Sequence, residues 1–197
     1  MKTKELLTEM NICFNESTDN IFEYIIENND SIVLDLFPRN IKDSKKYQSV
    51  EVFYQKVLDH NMKKRKFEEI ENRFMNFIKT LWLYNETYVN VLSSEIFENF
   101  YYKKNKKLLK KYSSIFSESI NEEEFLLIED KDVLYSFCVL AIRDISPVVF
   151  YFKNSKILIM LSGCTGLVYY GSSKDILFTK QLACNCSLYL YSKDINI

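Results

Sequence analysis

The sequence predicts an α+β fold, a helical N-terminal two thirds packed on a mostly antiparallel sheet that closes with a C-terminal β-β-β-α-β unit. Two observations predict it. Apolar residues recur at helical spacing in the first half, most clearly at Phe67, Ile70, Phe74, Phe77, Ile78, Leu81 and Trp82. Beyond Pro147 the pattern changes to short β-branched or aromatic runs, VVFYF (148–152), ILIML (157–161) and GLVYY (166–170), separated by turn residues such as Lys153-Asn154-Ser155 and Ser162-Gly163. With 197 residues the chain buries roughly 70% of its unfolded surface. It is expected to form a single domain over 1–197, with a helical part at about 1–120 and a sheet-containing part at about 125–192.

Taken in order, Ser17 or Thr18 caps a helix carrying Ile21, Phe22, Ile25 and Ile26, and SIVLDLF (31–37) is a short strand ended by Pro38. Val50, Phe53, Tyr54, Val57 and Leu58 follow the i, i+3, i+4, i+7, i+8 rule and predict one helix. The helix through Phe67 and Trp82 is given a wet face of Glu68, Glu71, Asn72 and Lys79. Val89, Leu92, Ile96 and Phe100 predict a further helix, and Leu108, Tyr112 and Ile115 another, with Leu108 and Tyr112 inside. DVLYSFCVLAI (132–142) is apolar nearly all round, which periodicity alone leaves open between buried helix and buried strand. Between residues 172 and 186, SSKDILFTKQLACNC reads as a helix capped by Ser172 or Ser173. SLYLYS (187–192) reads as a last strand, and the tail DINI as loose.

Composition narrows the function. The chain holds three glycines, Gly163, Gly166 and Gly171, where average usage of about 7% would give roughly 14. A P-loop or dinucleotide fingerprint needs glycines so that backbone N–H groups can approach phosphate, so both motifs are excluded. No apolar run reaches about 18 residues, and Glu5 and Glu9 stand where a secretory signal would be apolar, so a cytoplasmic protein is expected. Cys13, Cys138, Cys164, Cys184 and Cys186 are expected to be reduced and buried rather than bridged. Cys184 and Cys186 form a C-x-C, but the second ligand pair of a zinc site is missing, so no metal is expected. The sole histidine, His60, reads as a helix-end residue near the C-terminal dipole. No catalytic residue, cofactor or small-molecule substrate is indicated.

Charge is unevenly distributed. From His60 to Tyr112 there are 12 basic residues against 6 acidic ones, a net +6. From Ser113 to Tyr135 there are 7 acidic residues against one lysine, a net −6. The basic segments 62–66 and 103–111, through Lys63, Lys64, Arg65, Lys66, Lys103, Lys104, Lys106, Lys107, Lys110 and Lys111, are candidate phosphate contacts, with Tyr101, Tyr102 and Tyr112 available for stacking. A solvated helix face gives the same letters. The acidic residues Glu122, Glu123, Glu124, Glu129, Asp130 and Asp132 are candidate partner contacts or, in an enzyme, a carboxylate site with Arg143. In AIRDISPVVFYF (141–152), Arg143 and Asp144 stand where an apolar segment leaves the core. They read as a structural ion pair or hinge, the aspartate as an Asx-type turn or cap and the arginine bonded to carbonyls or a carboxylate; a functional site is the alternative.

The segment RDISPVVFYFKNSKILIMLSGCTGLVYYGSSKDI, within residues 132–192, resembles the C-terminal β-β-β-α-β portion of small cytosolic immunity-type proteins of Gram-positive toxin–immunity pairs. The resemblance implies a protein partner, a cognate toxin neutralised by direct binding, and carries over no residues. The other expectation is a nucleic-acid-binding or regulatory protein that uses the two lysine-rich segments.

Overall fold

A computed structural model describes residues 1–11, 32–39, 41, 43–92, 95–120 and 124–192. Within them the strands are β1 (Ile32–Asp35), β2 (Thr87–Val91), β3 (Leu126–Leu127), β4 (Val148–Phe152), β5 (Ile157–Ser162), β6 (Thr165–Tyr170) and β7 (Tyr189–Ser192). They form one seven-stranded sheet in the order β3-β2-β4-β5-β6-β1-β7, and each pairing is antiparallel. The fold is α+β, and the C-terminal β-β-β-α-β unit supplies β4 to β7. Strands β1 and β2 come from the mainly helical first part, so the sheet draws on both parts of the chain. The helix expected over Ile21 to Ile26 lies outside the described residues, as does the tail from Lys193.

The runs VVFYF and ILIML are apolar throughout because both faces of these central strands are covered. Val148, Phe150, Phe152, Ile157, Ile159 and Leu161 point into the main core, while Val149, Tyr151, Leu158 and Met160 point to the opposite face. There a short helix, α1 (Thr3–Glu9), closes over them with Leu6, Leu7 and Met10. Helices therefore lie on both faces of the sheet.

The main helical layer is built on α4 (Lys64–Tyr84) and α7 (Lys131–Ile142), preceded by α2 (Ser44–Val50) and α3 (Tyr54–Leu58) and joined by α5 (Phe100–Leu109) and α6 (Ser113–Ser119). Helix α4 buries Phe67, Ile70, Phe74, Phe77, Ile78 and Leu81 at the predicted spacing. Each such side chain stabilises the fold by about 1.5–3 kcal/mol through burial. The helix stops at Asn85, whose Nδ2 donates to the Leu81 carbonyl (2.7 Å) and whose Oδ1 accepts from the Ser155 N–H (2.8 Å), tying the helix end to the β4–β5 turn. The ambiguous segment 132–142 is helical. Asp130 caps it by accepting from the N–H groups of Asp132 and Val133, and its residues from Ser136 to Ile142 are all buried between α4 and the sheet.

Three expected helices need correction. Val89 lies in β2, not in a helix with Leu92, Ile96 and Phe100; Thr87 to Val91 are β-branched or aromatic apart from Asn90, and all five are buried in register with β4. The helix through Val50 to Leu58 is two helices, since Glu51 and Phe53 are extended (ψ 147 and 148) and break the α2–α3 continuity. After α5 the chain tightens into a 3-10 turn over Lys110–Tyr112, and this places Leu109, not Leu108, in the core; Leu108 is exposed. Helix α8 (Ile176–Asn185) follows a 3-10 turn whose N-cap is Ser172. Among the described residues no helix is long and apolar enough to cross a membrane.

Candidate functional site

The corner after α7 is where the polar chemistry concentrates. Helix α7 ends in a Schellman arrangement: the Asp144 N–H donates to the Ala141 carbonyl (3.1 Å) and the Ile145 N–H to the Leu140 carbonyl (2.9 Å). The position that usually holds glycine holds Asp144, with a left-handed φ of 53°. Arg143 precedes it and turns inward, and Asp144 faces a cleft.

Arg143 is bound on three nitrogens. Its Nε and Nη2 donate to the two carboxylate oxygens of Glu71 (2.7 and 2.8 Å), and its Nη1 donates to Asn105 Oδ1 (2.5 Å). The Tyr54 hydroxyl donates to the same Asn105 oxygen (3.1 Å), and the Tyr54 ring lies 5.2 Å from the guanidinium carbon. Arg143, Glu71 and Asn105 are all buried. Burial works against the Arg143 charge, but the hydrogen bonds and charge of Glu71 more than offset it, so the guanidinium titrates above its ordinary value. The cluster ties α3, α4, α5 and the end of α7 together, with each of the three guanidinium nitrogens bonded inside the protein. Its partner is Glu71, which the sequence reading placed on the wet face of α4, and not Asp144. The signal was present: Glu71 stands four after Phe67 and three before Phe74, on the buried stripe.

Asp144 borders a cleft of about 350 Å³ formed where β1 and β6 meet the α2–α3 segment. Its carboxylate has no hydrogen-bond or ion-pair partner among the described residues, so the expected Asx-type turn or cap is not made; the backbone alone closes the helix. Gly163, at φ 60° in the β5–β6 turn, leaves room for this carboxylate, since a Cβ there would meet Asp144 Oδ1 at 2.8 Å. A second carboxylate, Asp35, accepts from the N–H of Leu36 (2.6 Å) and the hydroxyl of Tyr191 (2.9 Å). Burial raises both carboxyls above their ordinary value, partly relieved at Asp35 by the Tyr191 hydroxyl and the backbone N–H groups. Tyr47, Phe53, Cys164 and the exposed Arg39 complete the wall that matters chemically. Burial pushes the Cys164 thiol up, as it does that of Cys138 beneath α7, which keeps both as neutral thiols at neutral pH.

The acidic candidates do not form one free rim. Glu122 and Glu123 lie outside the described residues. Glu124 is exposed and its backbone bridges to Lys2. Asp130 caps α7, Asp132 approaches Lys111 at 4.0 Å, and Glu129 stands exposed at the corner between β3 and α7. Of the basic candidates, Lys64 and Arg65 pair along the helix with Glu68 and Glu69 (both 3.4 Å), and Lys104 lies over the exposed Phe100 ring. Lys63, Lys66, Lys103, Lys106, Lys107 and Lys110 are exposed, without an acidic partner among the described residues. Tyr102 and Tyr112 are buried, and the half-buried Tyr101 donates its hydroxyl to Gln55 Oε1, so none of the three offers a free ring for stacking. His60 is exposed just past α3 in a left-handed conformation (φ 58°). Cys184 is exposed, against the expectation of a buried thiol.

Two outcomes follow from this geometry. Glu71→Leu and Arg143→Met, taken singly, are expected to lower stability by about 3–5 kcal/mol, because each leaves a buried charge alone, and the double variant to lose much less than the sum. Urea unfolding measures this, and simple additivity would reject the pair as a coupled unit. For Asp144 the folded carboxyl keeps a proton that the unfolded chain releases once pH passes its ordinary 3.8. Stability therefore falls as pH rises through the window from that value to the raised one. Asp144→Asn, which tolerates the left-handed backbone, is expected to match the wild type below this window and to be the more stable protein at neutral pH. Urea titrations at the two pH values decide, and equal stability at both would refute the burial argument.

Comparison of the chain with protein-family models, with curated proteins and with solved structures finds no match, so a functional reading rests on this geometry.

Proposed function

We propose that the chain is a protein-binding inhibitor of the immunity type, which neutralises a toxin by covering it. One observation carries the reading: large apolar side chains stay uncovered at the C-terminal end of α4, the helix end to which an acidic corner is also tied. Leu83 and Tyr84 are 63% and 67% exposed, and Tyr84 meets Phe178 of α8 edge to face at 6.0 Å, beside Leu177, itself 67% exposed. Single exposed apolar residues are ordinary, but a contacting pair of exposed rings, Tyr84 and Phe178, with exposed leucines next to each in sequence, has the composition of a binding anchor. Two bonds bring the acidic corner to the same end. The Trp82 Nε1 donates to the Ile128 carbonyl (2.9 Å), and the Ile128 N–H donates to the Thr87 carbonyl (2.9 Å), so Glu129 begins directly beyond this tie. Aromatic anchors would supply affinity, and the exposed carboxylates would steer a basic partner and exclude others.

The test uses the protein encoded by the adjoining reading frame, co-expressed in a sensitive host and then purified with this chain. Relief of growth inhibition and a stable complex are expected. Tyr84→Ala is expected to raise the dissociation rate about tenfold or more, and Glu129→Lys to slow association at low salt and little at high salt. Failure of the two proteins to associate, or unchanged kinetics in both variants, overturns the reading.

A second reading, nucleic-acid binding, is favoured by the lysines of α5 and the turn after it that have no acidic partner among the described residues, Lys103, Lys106, Lys107 and Lys110. Retention on heparin separates the two. The inhibitor reading expects elution at low salt; strong, steeply salt-dependent retention that is lost on changing Lys106, Lys107 and Lys110 to glutamate would replace it.

A further inference from the structure

We propose that the cleft at the ends of β1 and β6 is a receptor for a guanidinium group, held by the carboxylates of Asp144 and Asp35 against the rings of Tyr47 and Phe53. This inference is independent of the inhibitor reading and concerns a different surface.

Four observations converge on it. The first is the way Asp144 is held. At the point where a helix normally ends in glycine it takes a left-handed conformation, one that aspartate tolerates better than most residues. That conformation turns the carboxylate onto Gly163, which lacks the Cβ that would collide with it.

The second is electrostatic. The C-terminus of α7 is the negative end of the helix dipole, so a carboxylate beside it is unfavourable and a cation there is favourable. The adjacent Arg143 does not relieve this, because its guanidinium is directed inward and used on Glu71 and Asn105. Asp144 is thus half-buried, unpaired among the described residues, and next to a like partial charge.

The third is the composition and size of the cleft. Two half-buried carboxylates lie in the wall, with the one arginine, Arg39, exposed. A monocation is the charge that this lining lacks. A volume of about 350 Å³ suits a guanidinium with its alkyl stem, and Tyr47 and Phe53 offer flat apolar surface. A guanidinium fits such a wall better than an ammonium, being planar, weakly hydrated and able to stack while it pairs with a carboxylate.

The fourth is internal precedent. This protein already holds one guanidinium, that of Arg143, with a carboxylate along its edge and the Tyr54 ring at its face. The cleft offers the same two elements from Asp144 and Phe53.

The probe is n-butylguanidine, with the neutral isostere n-butylurea as control, titrated into the full-length protein and followed by NMR. Saturable shifts at Val33, Phe53 and Thr165 with butylguanidine, and none with butylurea, are expected. Asp144→Asn should weaken binding about tenfold or more, since it exchanges a charge-assisted pair for a neutral contact, while Glu118→Gln, at an exposed position on α6, should leave it unchanged. If Asp144→Asn loses its fold by circular dichroism, Phe53→Ala, whose ring is partly exposed, gives the same test through a several-fold loss. Equal shifts with butylurea, full affinity in the folded Asp144→Asn protein or in Phe53→Ala, or an equal loss in Glu118→Gln overturns the proposal. N-acetyl-arginine-N-methylamide, run beside butylguanidine, distinguishes the sources: tighter binding assigns the cleft to an arginine of a partner chain, and equal or weaker binding to a free guanidine. Each supports the site.

Discussion

The buried pairing of Arg143 with Glu71 is the constraint around which the helical layer is arranged. The two residues are 72 positions apart, and Asn105, which takes the remaining bond, is 38 from Arg143. Three separate helical segments must therefore reach one place for a single guanidinium to be satisfied. Desolvating two charges offsets much of their attraction, so the pair adds little net stability compared with apolar residues of equal volume. What it supplies is discrimination. Any packing of α4 against α5 and α7 that misplaces one partner leaves a buried charge alone, and the cost of that alternative exceeds the gain of an ordinary apolar contact.

The same corner links the core to the surface. Because Arg143 is pulled inward, α7 stops at Ile142, and the next residue must reverse the chain toward β4. Asp144 makes that reversal in a left-handed conformation, which sends its carboxylate outward to the cleft and onto Gly163 of the β5–β6 turn. The N–H of Gly163 in turn donates to the Ala141 carbonyl (2.9 Å), so the turn, the helix end and the carboxylate are fixed as one unit. A rigid sheet on one side and a fully buried helix on the other leave this half-buried acid little freedom to find a partner by moving.

The sequence was legible where one physical signal dominated. The strands β4 to β6 were readable because β-branched and aromatic runs of five or six residues between turn residues fit little else, and α4 because its apolar stripe persists for five turns. Legibility failed where two signals coincided. In the segment from Val89 to Phe100, the i, i+3, i+7 spacing imitates a helix, while Thr87 to Val91 is a central strand covered on both faces, a state with no alternation to detect. Between Val50 and Leu58 the spacing found α3 but not α2, whose last residue is the exposed Val50, and spacing carries no record of the extended residues at 51 and 53. Glu71 and Asn105 were missed for a different reason. Both occupy buried positions of their helices, and a rule that assigns polar residues to the wet face cannot place them until the arginine they serve is placed. Asp144 was read as a cap because aspartate usually serves so; its carboxylate has no partner among the described residues because the backbone completes the helix end by itself.

The separation of charge along the sequence is also altered by the fold. Net charges of +6 and −6 in successive segments would make a long dipole if the segments stood at opposite poles. Among the described residues they meet at one point instead: Lys111, at the end of the basic stretch, approaches Asp132 at the start of α7, and Lys64 and Arg65 are matched within α4. Fields of opposite sign this close cancel beyond a Debye length of about 8 Å, so long-range steering is weaker than the segment charges imply. A partner, if the proposed binding holds, would be selected mainly by what it meets at contact distance. At that range the chain presents the exposed rings of Tyr84 and Phe178, the exposed Glu129, and the carboxylate of Asp144, which has no partner among the described residues.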